Sequence, residues 1–359
     1  MQYSIKKIVE NPLIVTTDVV PSIPGFRVDG VFNCGVTRYG SEIILLCRVA
    51  ESVISDDPDV YKIPIMASDN GNSRFGVTNI RRSEHPEYNY DDSRVLTKDD
   101  GNGLKKVVSL TSLSHFRVAR SIDGVKFELG TRPAILPDPE TECWGMEDPR
   151  ITKIENTYYI NYTAVSPNGA ATALIKTMDF ISYERLGLIF LPENKDVCIF
   201  PKKIGGKYYA FNRPVPNAFG TPDIWISESE DLLHWGMHRH FYGVSDNGWE
   251  NGRVGGGAVP FLTEKGWIAI YHAADTNNRY CLGAFLLSEN NPGILIAKTK
   301  KPLVEPGEIY ETQGFFPQVV FTGGCLYENG LVKVYYGAAD DKICRVDIPI
   351  EHIYRSLGV

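Results

Sequence analysis

The chain has 359 residues, with 37 Lys and Arg against 44 Asp and Glu, a net charge of −7. That balance and the lack of a basic tract exclude nucleic acid as an expected partner, and no run approaches the ~18 apolar residues of a membrane span. The 19 Tyr, 33 Gly and 22 Pro favour strands joined by tight turns over helices.

In chain order, the start MQYSIKKIVENPLIV lacks the apolar core and small-residue cleavage site of a secretory signal. A hairpin is predicted in VTRYGSEIILLCRV, turning at Tyr39 and Gly40. Residues 52–66 and 84–106 are polar and turn-rich, and read as loop insertions over one face. Further hairpins are predicted at Asp123 and Gly124, at Glu155 and Asn156, and at Gly205 and Gly206. Two more follow at Lys265 and Gly266 and at Asn329 and Gly330. Between them lie other strands, in TALIKTMDFISYERL, DIWISESEDLLHW and CLGAFLLSENNPG. The tail IPIEHIYRSLGV predicts one short helix. From Glu155 onward successive hairpins lie roughly 45 to 65 residues apart, the size of a four-stranded propeller blade with variable loops. The expected fold is therefore all-β, a five-bladed β-propeller forming a single domain over 1–359. A β-sandwich with long loops, or two stacked β domains, is the alternative.

The seven Cys are scattered, with no CxxC, and several sit in apolar strand-like runs. They read as small buried residues in a reducing cytoplasm, not as disulfides or metal ligands. His238 and His240 alternate on one strand without a third ligand nearby, so no metal site is expected.

Charge and amide groups cluster at predicted strand ends: Asn33, Arg48, HFRVARS, GMEDPR, NKD, FNRP, GRVGGG, YHAAD and YYGAAD. In a propeller the inner strands run along a central channel, so such groups converge on one polar pocket although far apart in sequence. Asp148 stands among Glu147, Pro149 and Arg150 just ahead of a strand, a charge cluster at a strand end.

GMEDPRIT with YYINYTA, FPKKIGGKYYAFNRP, GWIAIYHAAD and VYYGAAD together resemble the inverting mannoside phosphorylases and mannosidases of glycoside hydrolase family 130, which are five-bladed propellers. The resemblance implies that Asp148 is the catalytic acid, acting through a sugar hydroxyl. It implies that Lys195, Arg213, Arg253 and His272 bind phosphate. It assigns Asn33, Arg48 and Asp340 to the mannosyl unit, with Arg117 a further candidate. Glu147 and Arg150 either orient Asp148 or contact sugar hydroxyls. His115, Tyr242, Trp249 and Phe315 are candidates for the leaving sugar's site. Gly255, Gly256 and Gly257 either bring backbone N–H groups to the anion or form only a turn.

The implied reaction is phosphorolysis of β-mannosides to α-mannose 1-phosphate and a shortened sugar. Inorganic phosphate is the co-substrate, no cofactor is needed, and a homo-oligomer is expected. RVGGGAVPF differs from the corresponding segment of β-1,4-acting members, which points to β-1,2 linkages. The rival readings are a hydrolase on the same scaffold, with Glu250 as its base, a β-1,4-mannoside phosphorylase, and a propeller that binds sugar without turnover.

Overall fold

The computed structural model describes residues 5–101, 105–216 and 218–359. Residues 1–4, which open the stretch read above for a signal, and 102–104 of the second insertion lie outside them. The chain is all-β, built from antiparallel meanders. Phe26–Tyr39, Glu42–Val53 and Leu113–Ser121 form the first, edged by Glu128–Leu129. One parallel pairing, Gly145 with Ser114, joins it to the second: Gly145–Ile154, Thr157–Ser166, Gly169–Thr177 and Glu184–Phe190. The third is Asn194–Ile199, Tyr208–Pro214, Ile224–Ser229 and Trp235–Tyr242. The fourth places Gly266–Ala274 between Arg253–Gly256 and Tyr280–Leu287, with Leu295–Lys298 at the edge. In the last, Val320–Glu328, Leu331–Ala338 and Lys342–Pro349 are joined by Lys6–Lys7, so the two ends of the chain share a sheet. Every predicted turn falls at a junction between strands that pair.

Strand alternation explains the packing. On Thr157–Ser166, Ile160, Tyr162 and Ala164 face Ile44, Leu46 and Phe116 of the first meander. Asn161, on the opposite face, donates from Nδ2 to the Val197 carbonyl of the third, at 2.6 Å. Middle strands are thus buried on both faces, and their few polar residues bond across to the next sheet.

The insertions are strands where loops were expected. Val60–Asp69 and Asn72–Arg81 form a hairpin, and Tyr88–Asn89, Val95–Asp99 and Lys105–Leu110 a small sheet. Only a few apolar residues, such as Ile63, Met66 and Leu96, are buried beneath them. Polar residues and exposed apolar ones such as Val77 and Val107 mix over the remaining positions, which hides the period-two pattern. The tail forms the expected helix, Ile350–Leu357, seated on Ile350, Ile353, Tyr354 and Leu357 and stopped by Gly358 at φ 80°. All seven cysteines are free thiols. Among the described residues no helix is long and apolar enough to cross a membrane.

Candidate active site

The first strands of three successive meanders carry the same device. Each is irregular where it reaches the site: between Phe32 and Gly35, between Glu147 and Arg150, and between Lys195 and Cys198. At each irregularity an Asn or Asp takes a left-handed backbone: Asn33 (φ 46°), Asp148 (φ 51°) and Asp196 (φ 56°). Asn and Asp tolerate that conformation better than other side chains that carry a Cβ. A bulge re-aims the side chain that a regular strand would send to one face. All three line one cavity of ≈ 410 Å³, within the usual range of about 300–1,000 Å³ for ligand sites.

The cavity also receives Arg48, Lys195, Arg213, Arg253, His272 and Asp340. Asn33, Arg48, Glu147, Asp148, Lys195, Arg213, Arg253, His272 and Asp340, far apart in the sequence, therefore meet there. Asp148 is 5% exposed. Its Oδ1 accepts hydrogen bonds from Asn33 Nδ2 at 2.9 Å and Arg48 NH1 at 3.0 Å. Arg48 is held on every edge, since its NH2 donates to Glu147 Oε1 at 2.8 Å and its Nε to Ser114 Oγ at 3.0 Å. Glu147 is thereby an orienting group, and its Oε2 lies 3.7 Å from Lys195 Nζ.

Burial would raise the Asp148 carboxyl, but Arg48, Lys195, Arg150 and the Asn33 bond outweigh it and hold it below the usual carboxylate range. Asp148 is therefore a carboxylate at pH 7. Asp340 behaves oppositely. Burial, with Asp148 and Glu147 nearby, lifts it to about 7 against the pull of Arg48 and Arg94.

On the cationic side, Arg213 donates from Nε to Asp196 Oδ2 at 2.6 Å. Arg253 donates to the Tyr280 hydroxyl at 3.0 Å and to Asn278 Oδ1. Burial lowers His272, more than its contact with Asp196 raises it, so the imidazole is uncharged at pH 7. The fourth basic position is therefore a neutral donor. The glycines serve close approach: a Cβ on Gly255 would stand 2.5 Å from both Asp196 Oδ2 and His272 Nε2.

Arg150 and Arg117 do not line the cavity. Arg150 sits behind it and donates to the Gly256, Gly257 and Asp148 carbonyls at 2.7, 2.9 and 3.0 Å. The bulge turns it away from Asp148's face, so it braces the wall and presents no donor to a sugar. Arg117, fully buried, donates to Glu51 Oε1 at 3.1 Å and Ser22 Oγ at 2.9 Å. Arg117→Met leaves the Glu51 charge buried and uncompensated. It is expected to cost about 3–5 kcal/mol of stability with unchanged sugar and phosphate KM, read by urea denaturation and steady-state kinetics.

None of the candidates for the leaving sugar lines the cavity either. His115 and Trp249 pack against Phe75 and Tyr271, Tyr242 bonds Glu250, and it is Phe316, next to Phe315, that faces inward. Glu250 is 3% exposed and held by the Tyr242 and Tyr271 hydroxyls and Lys298 Nζ, outside the cavity lining. Sequence reasoning missed Asp196 and Arg94. Arg94 comes from the second insertion, is gripped by Asp92 at 2.8 and 2.9 Å, and lies 4.5 Å over the Phe316 ring. Among the described residues no cluster of three or more His, Cys, Asp or Glu is placed to hold a metal ion.

The fold and the site define an all-β protein with a sugar-sized polar cavity, in which a hydrogen-bonded Asp148 and further carboxyl groups share space with several cations. Residues 104–357 match the family Glyco_hydro_130, described as beta-1,4-mannooligosaccharide phosphorylase. The chain belongs to glycoside hydrolase family 130. It is 44% identical over 350 residues to a beta-1,2-mannobiose phosphorylase of Listeria innocua, covering 98% of this chain and 97% of that one. It is 40% identical over 234 residues to a 1,2-beta-oligomannan phosphorylase of Thermoanaerobacter sp., covering 64% of this chain and 77% of that one. The solved structure of the Listeria innocua enzyme with beta-1,2-mannobiose superposes with a TM-score of 0.93 over 99% of both chains, at 43% identity.

Proposed function

We propose that the chain catalyses inverting phosphorolysis of β-mannosides, with β-1,2-linked manno-oligosaccharides as substrates. The products are α-mannose 1-phosphate and a sugar one unit shorter. The observation that carries this reading is the meeting, in one cavity, of Asp148 with Lys195, Arg213 and Arg253. The similarity to phosphorylases acting on β-1,2 linkages supports the linkage.

Phosphate, held by Lys195, Arg213 and Arg253, attacks C1 from the face opposite the bridging oxygen. The new C1–O bond to phosphate forms as the glycosidic C1–O bond breaks. Asp148 passes its proton to a sugar hydroxyl, whose own proton goes to the departing oxygen. Asp148 must first become protonated. An incoming phosphate of one to two negative charges does this work, because it offsets the cations that depress the carboxyl. Asn33, Arg48 and Asp340 hold the mannosyl unit, and no cofactor or metal takes part.

This reading treats the meanders as blades of one five-bladed propeller domain over 1–359, with the cavity on its axis. Support comes from the repeated bulges of successive first strands and from the sheet shared by the two chain ends. It also places the enzyme in the cytoplasm as a homo-oligomer, which light scattering would read.

The test is incubation with β-1,2-mannobiose with and without inorganic phosphate, followed by 31P NMR. The expected result is α-mannose 1-phosphate that forms only when phosphate is added. Phosphate-independent release of mannose would make the chain a hydrolase. Arg213→Ala should raise the KM for phosphate roughly 10- to 150-fold, the equivalent of about 1.5–3 kcal/mol for a charged hydrogen bond. The KM for mannobiose should barely move. An unchanged phosphate KM would show the anion site to be misplaced.

A further inference from the structure

A carboxylate at the centre of an anion site calls for an explanation, since its charge repels the ligand. Asp196 is such a group, 2% exposed and lining the cavity among Lys195, Arg213 and Arg253. Its Oδ2 accepts from Arg213 Nε at 2.6 Å and meets His272 Nε2 at 3.2 Å. Its Oδ1 lies 3.6 Å from Arg150 NH2 and has no hydrogen-bond partner among the described residues. The Nε contact is the one side-chain hydrogen bond that Arg213 makes among the described residues.

We propose that Asp196 is the positioning residue of the phosphate site: it grips Arg213 from the side, so that both terminal NH2 groups open onto the cavity as a preset fork. The same oxygen fixes the His272 ring by accepting its Nε2–H. The inference rests on the phosphorylase reading and deepens it.

The physical ground is the shape of guanidinium. It offers five donors in a plane, and the Nε edge and the terminal pair point different ways. Binding Nε leaves the terminal pair free for a bidentate contact with phosphate oxygens. An Arg side chain loses about 2 kcal/mol of rotamer entropy when it is fixed. Fixing it beforehand removes that loss from ligand binding. Asp196 can serve at any working pH: burial would raise its carboxyl, but Arg213, His272 and Arg150 hold it well below the usual range. Gly255 completes the arrangement by leaving room for both side chains.

The test is Asp196→Asn in the full chain, a change that keeps shape and suits a left-handed backbone. In phosphorolysis the phosphate KM should rise about 10-fold or more while the mannobiose KM stays within about 2-fold. In synthesis the KM for α-mannose 1-phosphate should rise in parallel, and that for the mannose acceptor should not. A merely structural role would lower thermal stability and move both legs together, and that outcome overturns the proposal. So does an unchanged phosphate KM. Gly255→Ala gives a second route should Asp196→Asn not fold, because its methyl group meets Asp196 Oδ2 and His272 Nε2, both at 2.5 Å, and so disturbs the same carboxylate–imidazole pair without altering charge. It too should raise only the phosphate leg. Absence of phosphate dependence in the wild-type chain would instead overturn the reading of the reaction itself.

Discussion

Asp148→Asn is expected to lower kcat by about three orders of magnitude with β-1,2-mannobiose, within the range of about 10²–10⁴ for loss of a general acid. The fold should survive. Asn is isosteric, accepts the φ of 51° at this position, and can still bond Asn33 or Arg48. Phosphate affinity should hold or improve, since the change removes a negative charge from a cavity that binds an anion. The discriminating probe is the leaving group. An aryl β-mannoside departs without needing a proton, so its loss of rate should shrink to about 10-fold or less. Equal losses with the disaccharide and the aryl substrate would show that Asp148 only positions the sugar.

What could be read in the sequence, and what could not, divides at the bulges. Asn33, Arg48, Asp148, Lys195, Arg213, Arg253, His272 and Asp340 were legible because charged or amide residues ended strand-like runs and the family resemblance singled these out among them, and all of them line the cavity. A regular strand sends residues two apart to the same face. By that parity Arg150 belongs beside Asp148, yet the irregularity between Glu147 and Arg150 turns it behind the wall. By the same parity Lys195 and Asp196 point apart, yet both face the cavity. The available signal was an Asn or Asp at each irregularity, which is weak because both residues are commonest in turns. Arg117 failed for a simpler reason. Its neighbours on the strand, Phe116 and His115, are equally buried, so nothing in the local pattern says that its partner is Glu51 and not a sugar. Arg94 carried no signal, since its insertion shows no strand period that would aim it.

Asp340→Asn is expected to stabilise the protein at pH 8 and to do so far less near pH 4. Asp340 is lifted from 3.8 to about 7, first by burial and then by Asp148 and Glu147, although Arg48 and Arg94 pull it down. A carboxyl with a folded pKa above its unfolded one penalises folding where the folded group must ionise. The penalty is absent below about pH 4, grows between about 4 and 7, and is complete above 7. A shift of about three units at about 1.4 kcal/mol each puts it on the order of 4 kcal/mol. Asn carries no charge and accepts the φ of 54° here, so it removes the penalty without new strain. Thermal unfolding of wild type and variant across pH 4 to 8 measures the effect: the two melting curves should diverge as pH rises. A gap independent of pH, or a variant less stable at pH 8, would show that the cations around Asp340 keep it ionised. The same substitution should impair turnover, because Asp340 is proposed to hold the mannosyl unit. Gain of stability with loss of activity is the expected mark of a charge kept in an unfavourable place for its chemistry.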